Sequence, residues 1–212
     1  MIFAAIDLLT TDIEALGWVE RYGRLTTPVR IIDHQDRETE EQTFVIFPVS
    51  CNVTAADCLE TDTRYYPLVP DSTKKSIAYW EQQGGFSFTN ENDGFLTGSA
   101  VARFVAWLNI SELGKTDCTI TADIIGPLLN TLDVTKTPTS GVFTNGQIKF
   151  KVIEQVEKSA DIFSAYTYDN QETGYLLFPY DYFALDVEIS LKIDKNCFSA
   201  FTTESAITCQ TY

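Results

Sequence analysis

The chain has 212 residues, of which 44% are hydrophobic and 13% aromatic, enough to bury a core of ordinary size within one domain. Thirty acidic residues against 15 basic ones leave a net charge of −15, which repels phosphate backbones and anionic membrane surfaces and argues against wrapping nucleic acid or coating a membrane. No run of 18 apolar residues occurs, so no membrane-spanning helix is expected.

At the start, Ile2, Ala5, Ile6, Leu9, Ile13 and Leu16 recur at three and four residues and predict one amphipathic helix that Gly17 can end, with Trp18 as an anchor after it. Asp7, Asp12 and Glu14 interrupt the apolar run and no basic residue precedes it. A signal peptide is therefore not expected, and synthesis in a cytoplasm is. Residues 27–32 and 42–49 are rich in β-branched and aromatic side chains, so two paired strands are expected with the polar DHQDRETEE at their tip. FVIFPVSCNVTAADC, residues 44–58, reads as a buried strand turning into a short helix capped by Asn52 or Thr54, with Cys51 and Cys58 as packed residues. PLVPDSTKKS is an ordered loop. Strands follow at 76–81 and 86–89, separated by Gly84 and Gly85.

The middle of the chain is ambiguous. In GSAVARFVAWLNISEL, Val101, Phe104, Val105 and Leu108 fit a helix, while Val101, Arg103, Val105 and Trp107 also alternate with Ala102, Phe104, Ala106 and Leu108; a long strand is favoured. TADIIGPLLNTL, residues 121–132, predicts a helix with Pro127 in a first turn or at a kink. QIKFKVIEQVE alternates Ile148, Phe150 and Val152 against Gln147, Lys149 and Lys151, a half-buried strand with its lysines toward water. YFALDVEISLKID alternates most cleanly, with Phe183, Leu185, Val187, Ile189, Leu191 and Ile193 on one side. The sum is a single α+β domain over residues 1–212, a largely antiparallel sheet with two or three helices and projecting loops or hairpins. A projecting aromatic hairpin is expected at about 163–183, where AYTYDNQETGYLLFPYDYF sets turn residues Asn170 and Gly174 between aromatic arms that a neighbour would have to cover.

Residue types offer little chemistry. His34 is the sole histidine and lies in a polar segment, the ordinary setting of a solvated side chain. Cys51, Cys58, Cys118, Cys197 and Cys209 are odd in number and lack zinc-pair spacing, so reduced, buried thiols are expected rather than disulfides, a metal site or a nucleophile. No phosphate-binding GxxxxGK[ST] occurs. Asp181 with Asp186 is the acid pair a glycosidase would need, and Asp57, Asp62 and Asp71 are possible calcium ligands, but an acidic surface supplies such groupings by chance. The aromatics Trp80, Phe86, Phe88 and Phe95 suit a sugar platform less well than a core or a subunit interface. No catalytic, cofactor-binding or metal-ligating residue and no cofactor is therefore assigned.

FPVSCNVTAADC (47–58), YYPLVPDSTKKSIAYWEQQGG (65–85) and WLNISELG (107–114) together resemble the neck and tail ring proteins of crAss-like tailed bacteriophages that infect gut Bacteroides. The resemblance spans residues 40–115. It implies a structural virion protein without catalytic residues, made in the host cytoplasm. Such a protein forms a homo-oligomeric ring of about twelve copies around the DNA channel, contacting portal and other neck or tail proteins, with DNA passing unbound and no membrane contact. An acidic wall would let DNA slide, since cations would hold its phosphates. A carbohydrate- or receptor-binding module of a virion is the alternative class and a hydrolase the third.

Overall fold

The computed structural model describes residues 1–35, 42–50, 66–90, 94–115, 120–139, 143, 146–167 and 176–194. Eight strands form one sheet in the order β3-β2-β1-β4-β5-β8-β7-β6. In chain order the elements are α1 (Ile2–Asp7), α2 (Thr10–Glu14), β1 (Arg21–Gln35), β2 (Gln42–Ser50), β3 (Tyr66–Pro67), β4 (Ser76–Asn90), β5 (Phe95–Asn109), α3 (Ile120–Leu132), β6 (Thr135–Lys136), β7 (Gln147–Gln155), a 3-10 turn (Ala160–Phe163) and β8 (Tyr180–Asp194). Every pairing is antiparallel except β1 with β4. The architecture is α+β, as the alternating patterns predict.

The ambiguous middle segment is a strand because both of its alternating sets are used. Ala102, Phe104, Ala106 and Leu108 enter a core roofed by the helices, while Val105 and Trp107 enter a second core on the opposite face. A strand buried on both sides reads as a continuous apolar run, which imitates helical spacing. β8 runs beside β5 in unbroken register from Phe95↔Asp194 to Asn109↔Tyr180 and contributes Phe183 through Ile193 to the roofed core. α3 lies over this face through Ile124, Leu128 and Leu132, three buried side chains worth about 1.5 to 3 kcal/mol each. Pro127 sits inside α3, past its first turn.

Four expectations shift. The N-terminal helix is two helices, because the amides of Leu8 and Leu9 donate three residues back, to the carbonyls of Ala5 and Ile6 (3.1 and 2.9 Å), and tighten the turn between α1 and α2. The predicted face survives this break, with Ile2, Ala5, Ile6, Leu9 and Ile13 all buried. β1 continues through His34 and Gln35, so the hairpin tip is shorter than DHQDRETEE. Gly84 and Gly85 do not separate two strands: Gln83 pairs with Val101 and Ser87 with Ser99, leaving residues 84–86 opposite Ala100 as a bulge within one continuous β4, with Gly84 at φ +76°. Within the expected hairpin at 163–183, Phe163 and Tyr182 are buried with rings 5.2 Å apart and Tyr180–Phe183 belongs to β8; residues 168–175 lie outside the described residues.

The bulge depends on Gly98 across the ladder. A Cβ there would lie 2.4 Å from Phe86 Cε1 and 2.9 Å from the Ser87 carbonyl oxygen. Gly98→Ala is expected to destabilise by about 1 to 3 kcal/mol, because backbone as well as ring must move. Urea unfolding midpoints of wild type and variant check this, and Phe86→Leu in the variant background is expected to recover only part of the loss.

Candidate functional site

The two faces of the sheet differ, and the difference defines the surface open to a partner. One face is roofed along its length by α1, α2 and α3. On the other, Ile77, Tyr79, Val105, Trp107, Tyr182 and Ala184 are covered by Ile162 and Phe163 from the segment between β7 and β8, with Tyr166 and Leu176 packed beside them among the described residues. Thr167 then turns away, its amide donating to the Ile46 carbonyl of β2 at 2.9 Å.

Beside Tyr166, strand alternation brings charge to the same face. Tyr166 donates its hydroxyl to Glu81 Oε1 at 2.7 Å, and Arg103 donates Nε and Nη2 to the two carboxylate oxygens of Asp186 at 2.7 and 2.9 Å. β4, β5 and β8 position these groups, since Glu81 faces Arg103 and Arg103 faces Asp186 across the ladders. The fork-to-carboxylate geometry is the strong form of this contact and holds the Arg103 guanidinium even more firmly charged. Burial pushes the Glu81 carboxyl above its usual range, while the Tyr166 hydrogen bond and the nearby Arg103 act in the opposite direction. Beyond this network the face carries Val101, Ser99, Thr97 and Phe95 of β5, Ser190 and Lys192 of β8, and Lys149 and Lys151 of β7. The Lys192 ammonium stands 4.6 Å from the centre of the Phe95 ring.

Glu81 yields a pH prediction. An acid whose folded-state pKa lies above its unfolded value adds stability that is fully present below the unfolded pKa of about 4.5 and is lost as pH rises through the folded pKa. Acidification from pH 7 toward 5 should therefore relieve a cost that Glu81→Gln removes at all pH values while keeping an acceptor for Tyr166. Urea midpoints at the two pH values are expected to show the variant ahead of wild type at pH 7 and the gap closing toward pH 5.

The residues considered from the sequence do not converge. Asp181 and Asp186 are separated along β8 by about 17 Å at strand rise and occupy alternate sides of it. Asp181 is bound by Lys158 and by the Tyr182 amide, and Asp186 by Arg103, so each is held in its own contact. Asp71 closes a turn by accepting from the Thr73 amide and hydroxyl at 2.9 and 2.7 Å, which holds its carboxyl below the usual range. Asp57, Asp62 and the five cysteines lie outside the described residues, as does the helix expected after Asn52. His34 falls in β1. The Trp80 group divides: Trp80 is core, Phe86 and Phe88 pack at 4.5 Å beside the bulge, and Phe95 is half-buried under the Lys192 ammonium.

Among the described residues no cluster of histidine, cysteine, aspartate or glutamate has the makings of a metal site, and no helix is long and apolar enough to cross a membrane. A cavity of about 340 Å³ is lined by Phe95, Pro138, Gln147 and Lys192, and another of about 300 Å³ by Glu14, Glu20, Arg21 and Lys74. The second is already laced by Glu20, which accepts from the Lys75 amide at 2.7 Å and Lys74 at 3.1 Å. Sequence reading missed the Glu81–Tyr166 and Arg103–Asp186 network. Its signal was charge on the positions that, four residues earlier in β4 or two and four later in β5, carry Ile77, Val105 and Trp107. No protein-family model, curated protein or solved structure matches the chain.

Proposed function

We propose that the chain is a structural subunit of a ring in the neck or tail of a tailed bacteriophage, surrounding the DNA channel and joining the portal to the distal tail. The observation that carries this reading is the asymmetry of the sheet among the described residues: helices pack on one face, while on the other the described cover, centred on Ile162 and Phe163, lies over one half. A sheet face of this kind is completed by a neighbour more readily than it serves as a pocket. The acidic balance of the chain and its sequence resemblance over residues 40–115 support the same reading.

Edge pairing between copies is the weaker way to build such a ring here. The terminal strands of the sheet, β3 and β6, are two residues each, and very short edge strands are one device by which sheet edges resist pairing. A carbohydrate-binding module would need exposed aromatics together. Among the described residues Phe3, Phe88 and Phe178 are exposed on three different elements, α1, the outer part of β4 and the turn before β8. The mass of the purified protein by light scattering, with negative-stain images, tests the proposal. A closed ring of many subunits is the expected result, and a monomer at every concentration and salt would sink it.

A further inference from the structure

The segment that joins β7 to β8 crosses the sheet on the face opposite the helices, and its fastenings change along the way. It leaves β7 with the Val156 amide donating to the Ala184 carbonyl at 2.9 Å and with Lys158 bound to Asp181, both on β8. In its middle the 3-10 turn lays Ile162 and Phe163 into the second core. Further on, the Tyr166 ring stands edge-on to Tyr79 with centroids 6.3 Å apart, and the Thr167 amide reaches the Ile46 carbonyl of β2. Among the described residues, the carboxylate that this far end touches is that of Glu81, through the Tyr166 hydroxyl.

We infer that this segment is a strap whose far end is held or released by the proton on Glu81, closing over the neutral carboxyl and loosening over the ionised one.

Glu81 stands on a strand, so the sheet lies behind it and what keeps water from its carboxyl is whatever packs on the face. Among the described residues that is Tyr166. Its hydroxyl supplies one bond at 2.7 Å and Gln83 of the same strand a long one at 3.4 Å, a thin set of donors for a carboxylate taken out of water. The neighbouring charges do not complete the set. Arg103 of β5 gives its fork to both oxygens of Asp186 on β8, and Glu154 of β7 pairs with Asp186 one strand further on. On the other side Leu25 and Thr26 of β1, beside Trp80, carry no charge. Burial accordingly holds the Glu81 carboxyl above its usual range while the strap is closed. Lifting Tyr166 admits water and leaves Arg103 nearby, and both favour the ionised form. By linkage the protonated acid prefers the closed strap, and rising pH favours the open one. Ile162 and Phe163 are held by burial rather than by charge, so the release is confined to Tyr166 and Thr167.

Native-state hydrogen exchange of the full chain by NMR, corrected for the intrinsic rate at each pH, tests this. The Tyr166 and Thr167 amides, which donate to the Phe163 and Ile46 carbonyls, are expected to exchange through an opening of their own at lower free energy than the β5–β8 ladder. Their protection is expected to fall by about tenfold between pH 5 and pH 8. Glu81→Gln keeps an acceptor for Tyr166 and removes the titration, so its protection at the two pH values is expected to be the same. Tyr166→Phe keeps the ring over Glu81 and removes the donor; the Thr167 amide is expected to be less protected than in wild type at both pH values and still to lose protection as pH rises. Three results overturn the inference: amides of the far end that exchange only together with the ladder, wild-type protection that is level or rises with pH, and a fall with pH that survives in Glu81→Gln.

Discussion

Replacing Trp80 with alanine is expected to lower stability by about 3 to 5 kcal/mol, the range for emptying a buried large aromatic site. Trp80 is fully buried and stands where β1, β4 and β5 meet. Its ring packs edge-on against Phe104 with centroids 5.1 Å apart, its indole N–H donates to the Tyr22 hydroxyl at 2.7 Å, and its carbonyl accepts from Thr26 Oγ1 at 2.8 Å. The Tyr22 phenol is so far buried that its ionisation is pushed well above the usual range, so losing its partner leaves a polar group stranded. Such a loss is a large part of the 5 to 15 kcal/mol that holds a typical domain together. Trp80→Phe separates the two effects, since it keeps most of the ring contact and removes the donor; it is expected to lose about 1 to 3 kcal/mol. Urea unfolding followed by far-ultraviolet circular dichroism measures both, and an alanine variant within 1 kcal/mol of wild type would mean the core closes around the site.

Trp80 also shows what the sequence makes legible. Strict alternation in β7 and the helical face of α3 were readable because each element buries one side and wets the other, and β8 because its polar and apolar residues alternate although its first half is buried on both sides, with Tyr182 and Ala184 in the second core. The N-terminal pair was readable as a buried face but not as two helices, since a tightened turn at Leu8 and Leu9 leaves the spacing of Ile6, Leu9 and Ile13 intact. Gly84 and Gly85 carry a turn signal that cross-strand pairing overrides, with Gln83 and Ser87 both held by β5. The parallel join of β1 to β4 has no local signal, because it depends on Gly23 and Arg24, the latter at φ 50°, letting one strand serve β4 with its first half and β2 with its second. The candidate surface was the least legible part. Lys149 and Lys151 could be assigned to water from alternation alone, but the long-range contact of Tyr166 with Glu81 depends on the path of the segment between β7 and β8.

Removing Arg103 is the second large effect expected, and its partner decides the size. Asp186 is buried and Arg103 nearly so, with side chains 12% and 22% exposed. Arg103→Met leaves a carboxylate without its fork of donors and should destabilise by about 3 kcal/mol, the low end for breaking a buried pair because both groups retain some water. Arg103→Met combined with Asp186→Leu removes both charges and should return to within about 1 kcal/mol of wild type, so the cycle should report strong coupling. Glu81 supplies a further check. Arg103 draws the Glu81 carboxyl downward, so without Arg103 its ionisation moves higher still and acidification from pH 7 should stabilise the single variant more than wild type. The network stands beside the second core, with Tyr166 bound to Glu81. A double variant that is stable and still assembles would assign Arg103 and Asp186 to holding the strands; one that is stable yet monomeric would place the network at a contact between copies.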